Sequence, residues 1–486
     1  MTDLTASTRR AKIVCTIGPA SRDPEMLRQM LRAGMDVARI NFSHTGQDEA
    51  RQVIDLARSI AHEEGRPLAI LTDLQGPKIR VGDLPEPLQL VEGQRYTIVT
   101  QAQEAGAVDL QGPPRIPTTY KALWGDVTAG DRILLDDGHL ELRVEAVAEG
   151  AVEVAALNGG LLHSQKGINL PGVDVQAPSM TEADLANAEF SAGLDVDYLA
   201  LSFVRRPSDV SDLRKVAGDG PLLIAKVEKD QAVRSLPEIM GAADGVMVAR
   251  GDLGVEMPYE EVPIVQKRTL RLGRELIRIS ITATQMLESM TRSPRPTRAE
   301  VSDVANALLD GTDAVMLSAE TATGEYPVEA VATMDRVIRR IEREKSFVFD
   351  ASDMVPSRGF AAVQHTPSAA IAAASVEALT RLGCRFMVTF TRSGFTARVV
   401  AAQRPPVPIL AVTDQERTYR QLALVWGVVP ILVQGDEINY DTLLSGACDY
   451  ALEAGLGDSG ERFIVTAGVP FHVAGTTNMM KIEVLP

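Results

Sequence analysis

The sequence has few aromatic residues, few cysteines and no excess of basic side chains. Aromatic residues make up 4% of the 486 positions, and 49 Lys and Arg face 65 Asp and Glu, a formal net charge of −16. Nucleic-acid-binding proteins usually present a basic surface, so a nucleic-acid partner is not expected. The three cysteines, Cys15, Cys384 and Cys448, form no C-x-x-C pair, a pattern typical of buried thiols in a reducing compartment.

Long hydrophobic runs are also absent. No run of about 18 apolar residues occurs, so no membrane-spanning helix is expected. The N-terminal segment MTDLTASTRR is polar and lacks the apolar core of a secretory signal. We therefore expect a cytoplasmic protein without a membrane partner, and the length predicts about three domains at roughly 150 residues each.

Alanine and branched aliphatic residues are abundant, in short runs separated by helical patterns. Such runs are typical of buried parallel strands, which are apolar on both faces. They predict eight strands, at residues 11–17, 36–42, 68–73, 197–203, 222–227, 245–249, 280–284 and 314–318. Eight strand–helix units in about 250 residues predict a (β/α)8 TIM barrel of the α/β class, with an open doubly wound sheet as the alternative topology.

A different pattern interrupts the barrel between the third and fourth strands. Period-two alternation between glycine-rich turns, at 95–100, 132–144 and 151–157, predicts a small antiparallel β-domain. Its expected hinges are Gly76-Pro77 and 170–172. A helix at 368–382 and strands at 386–390, 408–412, 427–432 and 463–466 predict a C-terminal α/β domain. The predicted bounds are 1–76 and 173–345 for the barrel, 77–172 for the inserted β-domain and 346–486 for the C-terminal domain.

Polar residues follow most predicted barrel strands at their carboxyl ends. They are Arg39, Asn41, Ser43 and His44 after strand two, Asp73 after strand three, Lys226 and Glu228 after strand five, Gly251 and Asp252 after strand six, Thr284 after strand seven, and Ser318 and Glu320 after strand eight. Catalytic groups of TIM barrels stand at this end, so we expect the active site there. A solvated strand end or a surface ion pair is the alternative for each residue taken alone.

The chemistry of these residues indicates an anionic substrate. Glu228 and Asp252 could together hold one divalent cation such as magnesium. The segment Gly251-Asp-Leu-Gly254 could form either a plain turn or a nest of N–H groups for an anion. With Lys226 and Arg39 added, the set favours phosphoryl transfer or chemistry on an enolate, and a metal-dependent lyase would use similar groups.

Two segments rich in hydroxyl groups have structural explanations. Thr297 and Glu300 have the spacing of a capping box, which predicts a helix N-terminus. The loop 391–396 follows a predicted strand and opens a helix, so it is either an ordinary Ser/Thr N-cap or a phosphate-binding loop. It contains Thr391, Arg392, Ser393, Gly394 and Thr396 and is not a Walker sequence, so its spacing alone favours the cap.

Longer strings resemble those of pyruvate kinases, in order and spacing, over about residues 10 to 485. They are CTIGPAS at 15–21, ARINFSH at 38–44, KGINLPG at 166–172, MVARGDLGVE at 247–256, ATQMLES at 283–289, RPTRAE at 295–300, MLSAET at 316–321, TAGVP at 466–470 and GTTN at 475–478. The resemblance implies a barrel with a β-domain lid and an α/β regulatory domain. It also implies transfer of the phosphoryl group of phosphoenolpyruvate to ADP, giving pyruvate and ATP, by a homotetramer.

The matching positions imply a role for each residue. Lys226 is expected to neutralise the transferring phosphoryl group and the forming enolate, and Arg39 to grip the phosphoryl group. The expected magnesium ligands, with manganese able to substitute, are Glu228 and Asp252. The expected substrate-binding residues are Arg39, Gly251, Asp252, Thr284 and Ser318. The expected nucleotide-binding residues are Asn41, His44, Arg80 and Lys166.

Two further features follow from the same resemblance. The loop 391–396 matches one that binds the phosphate of an allosteric sugar phosphate or nucleotide in many members, so an effector site becomes the favoured interpretation, with Arg392 adding charge. The proton given to the enolate carbon comes either from Thr284 with water or from the hydroxyl network around Ser318.

One motif departs from the potassium-dependent form, which reads Asp-Thr-Lys-Gly-Pro-Glu-Ile-Arg. Here residues 73–80 read DLQGPKIR, so Leu74 removes a hydroxyl group and Lys78 replaces a glutamate. The ammonium of Lys78 could supply the charge that potassium supplies elsewhere, as in the potassium-independent subgroup. We therefore expect that potassium is not required, although other residues of the monovalent-cation region remain, namely Asn41, Ser43 and Asp73. The alternative is that Lys78 only forms a salt bridge nearby.

Two rival functions share parts of this pattern. A metal-dependent aldolase or lyase acting through a pyruvate enolate would use the same barrel and metal ligands but would need neither an ADP site nor a lid. A metabolite sensor that kept the fold would be expected to have lost Lys226, Glu228 or Asp252, and all three are present. A metabolic enzyme is therefore favoured.

Overall fold

The computed structural model describes residues 9–100, 113–344, 366–434, 439–469 and 477–486. The predicted boundary at 345–346 lies outside the described residues, as do Pro470, Gly475 and Thr476 of the two C-terminal strings. Within the described ranges, no helix is both long enough and apolar enough to cross a membrane.

The chain begins with three parallel strands and two helices. Their bounds are β1 (Lys12–Thr16), α1 (Pro24–Ala33), β2 (Val37–Asn41), α2 (Gln47–Glu63) and β3 (Ala69–Asp73). Helix α1 begins where the Asp23 carboxylate accepts hydrogen bonds from the backbone N–H groups of Glu25 and Met26. Pro24 stands in the first turn, where its missing N–H costs nothing, so the sequence itself sets this helix start.

The lid follows as a six-stranded sheet with a two-stranded companion. Its elements are β4 (Leu88–Leu90), β5 (Arg95–Thr100), β6 (Arg115–Thr118), α3 (Leu123–Asp126), β7 (Arg132–Leu135), β8 (Leu140–Ala148), β9 (Ala151–Ala156), β10 (Gly160–Leu162) and β11 (Ile168–Asn169). The larger sheet has the order β11-β7-β8-β9-β5-β6, with only the β5–β6 pair parallel. The predicted segment 132–144 forms a hairpin, because Asp136 and Asp137 adopt positive φ in the turn between β7 and β8.

The chain then returns to the barrel and completes it. The elements are α4 (Glu182–Gly193), β12 (Tyr198–Leu201), α5 (Pro207–Ala217), β13 (Leu222–Val227), α6 (Asp230–Arg234), α7 (Leu236–Ala242), β14 (Gly245–Ala249), α8 (Arg250–Glu256), α9 (Val262–Glu275), β15 (Ile279–Ala283), α10 (Arg298–Leu309), β16 (Ala314–Leu317), α11 (Ala319–Ala322) and α12 (Pro327–Glu342). Eight parallel strands close in the order β1-β16-β15-β14-β13-β12-β3-β2, which confirms the TIM barrel and excludes the open sheet.

The ends of two barrel strands differ from the prediction, and a predicted capping box agrees with it. Strands β15 and β16 end one residue earlier than predicted, so Thr284 and Ser318 lie in the loops that follow. Thr284 has a φ of 68°, which a strand residue does not adopt. The capping box is confirmed, because Thr297 caps α10 and the Glu300 carboxylate accepts the Thr297 N–H.

The C-terminal domain is a five-stranded sheet with helices. Its elements are α13 (Pro367–Leu382), β17 (Met387–Phe390), α14 (Phe395–Ala402), β18 (Ile409–Thr413), α15 (Glu416–Gln421), β19 (Val428–Leu432), α16 (Tyr440–Glu453), β20 (Arg462–Ala467) and β21 (Met479–Val484). The four predicted strands are present, and the antiparallel edge strand β21 was not predicted. The domain packs on the amino-terminal end of the barrel, where Lys12 Nζ donates to the Val428 carbonyl at 2.8 Å and Arg420 pairs with Asp197 at 2.9 Å.

Candidate active site

Inward-facing rows of side chains place the predicted residues at one end of the barrel. Successive residues of a strand face opposite sides, so every second residue points into the barrel. The lower positions of these rows are buried and apolar, for example Leu71 in β3 and Ile224 in β13. Two residues further on, the same rows reach Asp73 and Lys226. The barrel is therefore filled by hydrophobic layers, and charged groups cap them at the carboxyl end.

Four of these charged side chains form a buried chain of ion pairs. Arg39 donates from Nε and Nη2 to Asp73 Oδ2 at 2.8 and 2.6 Å. Lys226 Nζ lies 3.4 Å from Asp73 Oδ1 and 2.8 Å from Glu228 Oε1. The four residues are at most 9% exposed, so their charges interact with little screening by water.

Lys226 is a permanent cation in this setting. Burial alone lowers the pKa of its ammonium, but the negative charges of Asp73 and Glu228 outweigh burial and raise the pKa above the ordinary lysine value. At neutral pH the group is fully protonated. It can therefore neutralise negative charge on a substrate, but it has no readily released proton with which to act as a general acid.

Glu228 and Asp252 have the properties expected of ligands to a hard divalent cation. Burial raises the pKa of Glu228, and the negative charge of Asp252 raises it further, although Lys226 opposes both. Among the described residues, the Asp252 side chain has no hydrogen-bond partner. The described ranges contain no cluster of three His, Cys, Asp or Glu suited to a metal. Two carboxylates fit magnesium, which usually keeps several water or substrate oxygens in its shell.

Thr284 and Gly251 meet at the ends of β15 and β14. Thr284 has a positive φ, which is strained for a β-branched residue and is typical of functional sites. Its Oγ1 accepts the Gly251 N–H at 2.8 Å and donates to the Ala283 carbonyl at 2.6 Å. Gly251 and Asp252 lie in the first turn of α8 and not in an isolated turn, so their N–H groups stand at the positive end of a helix. Ser318 follows β16, and its N–H donates to the Glu320 carboxylate at 2.7 Å.

Three residues that contact the candidate site residues were not predicted from the sequence. Thr16, at the end of β1, accepts a hydrogen bond from Arg39 Nη1 at 2.8 Å. Ser202, after β12, accepts one from Lys226 Nζ at 2.7 Å. Phe203, with a φ of 53°, donates its N–H to Glu228 Oε2 at 2.7 Å. The prediction drew on the ends of the other six strands, and the same rule applied to β1 and β12 would have found Thr16 and Ser202. Phe203 contributes a backbone N–H, which a search for polar side chains does not detect.

The expected nucleotide residues are divided between barrel and lid. Asn41 and His44 follow β2, and the Asn41 side chain accepts the Ser43 N–H at 3.1 Å. In the lid, Arg80 donates to the Gln165 carbonyl at 2.9 Å and Lys166 pairs with Asp136 at 2.7 Å. The His44 N–H donates to the Asn41 carbonyl at 3.1 Å, whereas no hydrogen bond or ion pair of the described residues joins this pair to Arg80 or Lys166.

Positive charge accumulates around His44. Burial lowers the pKa of its imidazole, and the charges of Lys78, Arg80 and Arg39 lower it further, so the ring is neutral at pH 7. Lys78 is exposed and forms no ion pair within the described part of the chain. Its charge is therefore available, and the region is attractive to a polyphosphate.

The loop 391–396 follows β17 and runs into the first turn of α14, as predicted. The N-cap of α14 is Gly394, with a φ of 74°, and no side chain caps the helix. The ordinary Ser/Thr N-cap is therefore the wrong explanation. Arg392 and Ser393 are exposed, whereas Thr391 is buried and Thr396 accepts a hydrogen bond from Thr477 at 3.0 Å.

Comparisons with known proteins give one consistent result. The family model described as "Pyruvate kinase, barrel domain" matches residues 8–331, and "Pyruvate kinase, alpha/beta domain" matches residues 369–483. Proteins named pyruvate kinase from Staphylococcus haemolyticus, Geobacillus stearothermophilus and Sporosarcina psychrophila are 44%, 45% and 44% identical to this chain over 483, 485 and 484 residues. Each alignment covers 98% of this chain and 80% of the relative.

Proposed function

This chain is a phosphotransferase of the pyruvate kinase family, and we propose that its barrel site transfers the phosphoryl group of phosphoenolpyruvate to ADP, giving pyruvate and ATP. The observation that supports this reaction most directly is the buried chain from Arg39 through Asp73 and Lys226 to Glu228. Phosphoryl transfer depends mainly on positioning and on neutralising charge. Two cations held rigidly in a region with little water supply both requirements.

The two cations have different tasks. Lys226 stays protonated and stands between the carboxylates of Asp73 and Glu228, so we assign it to the transferring phosphoryl group and to the enolate that remains. Arg39 is held by Asp73 and by Thr16, which fixes the plane of its guanidinium. A guanidinium fixed in this way is suited to grip the phosphoryl group, because little conformational entropy is lost when it binds.

The substrate carboxylate is assigned to the start of α8, beside Thr284. The N–H groups of Gly251 and Asp252 stand at the positive end of this helix. Because Thr284 Oγ1 accepts the Gly251 N–H in this structure, a substrate carboxylate would replace that hydrogen bond. Ser318 is assigned to the same substrate site, and the source of the proton given to the enolate remains either Thr284 with water or the hydroxyls around Ser318.

Magnesium is the cation that the carboxylates of Glu228 and Asp252 would hold. When bound, it supplies a Lewis acid that stabilises charge on the enolate, carboxylate and phosphoryl oxygens. The protein contributes the orientation of its ligands, since the Phe203 N–H and Lys226 both hold Glu228 in place. Manganese has similar ligand preferences and would substitute.

The nucleotide is assigned to the cleft between barrel and lid. Asn41 and His44 are on the barrel side, and Arg80 and Lys166 are on the lid. Closing the lid would bring its cations toward the phosphates of ADP and exclude water that could intercept the phosphoryl group. Potassium is not required in this proposal, because the charge of Lys78 is available beside His44. Leu74, buried in the hydrophobic core, offers no hydroxyl group to the ion.

Regulation and assembly complete the proposal. The exposed Arg392 and Ser393 lie beside the start of α14, where backbone N–H groups not capped by a side chain can receive a phosphate. We therefore assign the loop 391–396 to a phosphorylated effector. A homotetramer is the assembly that the family implies.

The proposed reaction is tested by ATP formation from phosphoenolpyruvate and ADP in the presence of magnesium. Lys226→Met should lower kcat by at least about a thousandfold, while magnesium and phosphoenolpyruvate still bind. The matched control is Lys215→Met, an exposed lysine on α5, which should leave kcat unchanged. A Lys226→Met enzyme with near-normal kcat would refute the assigned role. Aldol cleavage without ATP formation would instead favour the lyase.

A further inference from the structure

We propose that Glu256 is a positioning residue that couples the lid to helix α8, an inference that rests on the reaction proposed above. Asn169 of the lid strand β11 donates from Nδ2 to Glu256 Oε1 at 3.1 Å. Lys229, in the loop after β13, forms an ion pair with the same oxygen. One carboxylate therefore joins the lid, the helix α8 and the loop that follows Glu228.

This contact is buried, so breaking it would cost free energy. The Glu256 side chain is 1% exposed and that of Lys229 is 15% exposed. A carboxylate buried to this degree is tolerated only while it is paired and hydrogen bonded. The three groups are therefore held together, and moving the lid away would leave Glu256 with one partner fewer.

Helix α8 connects this contact to the substrate site. The helix has seven residues, Arg250–Glu256, and spans about 10 Å. Gly251 and Asp252 lie in its first turn and Glu256 at its last position. Arg250 fixes the start of the helix through Asp303 at 2.6 Å and the Ala283 carbonyl at 3.1 Å. A unit this short moves as a rigid body, so a displacement of Glu256 reaches Asp252.

The other connection of the lid packs against the residue that holds the second expected metal ligand, Glu228. Gly76 has a φ of 72°, and a Cβ placed on it would lie 2.7 Å from Cδ2 of Phe203. The Phe203 N–H holds Glu228, and Lys229 Nζ lies 5.6 Å from the centre of the Phe203 ring. The first lid connection thus packs against the residue that orients Glu228, while the second bonds to the helix that bears Asp252.

The chain just beyond Asn169 shows how the lid is joined to the barrel. Gln231 donates to the Val173 carbonyl at 3.0 Å, and Arg205 donates to the carbonyls of Val175 and Ala177. The chain from Val173 onward is therefore attached to the barrel. Gly172 has a φ of 77°, and a Cβ placed on it would meet no atom within 4 Å. The bond from Asn169 to Glu256 thus holds the lid to α8 close to this attachment, alongside the Gln176 N–H that donates to Asp126 of the lid at 3.2 Å.

The test uses Asn169→Asp, which keeps the side-chain size and places a second carboxylate against Glu256. In the ligand-free protein, hydrogen exchange in peptides covering 166–173 and 250–257 should become about tenfold faster, while the lid sheet from β7 to β9 should keep its protection. The value of kcat should fall about tenfold, with an unchanged melting temperature for the C-terminal domain. The control Glu141→Gln removes an ion pair with Arg132 inside the lid and should change neither quantity.

A double variant distinguishes a positioning role of Glu256 from a general loss of structure. Asn169→Asp combined with Glu256→Gln exchanges the amide and the carboxylate, so the hydrogen bond forms again in the opposite direction and Lys229 keeps a counter-ion. Exchange rates and kcat should return to within about threefold of the original protein. The proposal is overturned if Asn169→Asp leaves exchange and kcat unchanged, if exchange rises equally throughout the lid, or if the double variant is no better than the single one. Exchange is measured without turnover, so its result stands apart from any failure of the phosphoryl-transfer assay.

Discussion

Replacing Lys226 with Met should destabilise the barrel as well as remove turnover. The ammonium neutralises Asp73 and Glu228, which are 0% and 1% exposed. Removing one partner of a buried ion pair typically costs about 3–5 kcal/mol, because the remaining charge is left uncompensated. Asp73 keeps its two hydrogen bonds from Arg39, so most of this cost falls on Glu228.

The loss of stability should depend on pH in a defined direction. In the original protein burial raises the pKa of Asp73, but Lys226 and Arg39 outweigh burial and hold the pKa below its ordinary value. That contribution is present above the unfolded pKa and is lost as the pH falls through the folded pKa. In Lys226→Met, the positive charge that opposes the effect of burial on Glu228 is gone, so the pKa of Glu228 in the folded protein rises further. The variant therefore loses stability as the pH rises. A cost of about 3–5 kcal/mol corresponds to roughly two to four pKa units.

The assay is urea unfolding followed by circular dichroism from about pH 5 to about pH 8, with a chelator present. The deficit of Lys226→Met should be greatest at high pH and should shrink toward low pH, where Glu228 can take up a proton. Adding Glu228→Gln should recover about half of the loss or more, since it removes the uncompensated charge. Lys215→Met serves as the control. If Lys226→Met is as stable as the original protein across this range, the reasoning about the buried ion pairs is wrong.

Three further predictions concern the cations of the cleft and the effector loop. Turnover in a bulky quaternary ammonium salt should match turnover in potassium at equal ionic strength, and Lys78→Glu should introduce dependence on potassium. Activation of the original enzyme by potassium of about a hundredfold, ~2.7 kcal/mol, would contradict this. In NMR titrations the pKa of His44 should lie below the ordinary histidine value, because of burial and then of Lys78. The neutral ring's contribution to stability is therefore present above the unfolded pKa and is lost as the pH falls through the folded pKa. The pKa of His44 should rise in Lys78→Met, and an unchanged pKa would show that Lys78 does not lower it. Sugar phosphates and AMP should be screened by thermal shift, where at least one should stabilise the original protein more than Arg392→Ala, whereas no shift with any of them would argue against an effector site.

The barrel strands were predictable because each is a short apolar run between polar ends. Strands β13 and β14 coincide with the predicted 222–227 and 245–249. Parallel strands covered by helices are buried on both faces, so their hydrophobic pattern is unambiguous. The edge strand β21 was missed because its exposed side chains alternate with charges, as in Lys481 and Glu483, and resemble a surface segment.

Strand ends were less predictable than strand centres. Thr284 resembles the last residue of a strand in sequence, since a threonine suits a strand. Its positive φ accompanies hydrogen bonds with Gly251, in the helix that follows the neighbouring strand, and with Ala283, the last residue of its own strand. Local strand propensity does not predict such a contact.

The sequence by itself determined which residues are candidates for the chemistry, and the tertiary structure decided which partners they have. Arg39, Lys226, Glu228 and Asp252 could be proposed because they stand at or just after the carboxyl ends of barrel strands, where TIM barrels place their catalytic groups. Their partners depend on which strands are neighbours and on where the lid meets the barrel. Asn169 and Glu256 are 87 positions apart and share a hydrogen bond only because β11 lies against the end of α8. A contact of this kind arises from the folded arrangement of the elements, so no local pattern in the sequence predicts it.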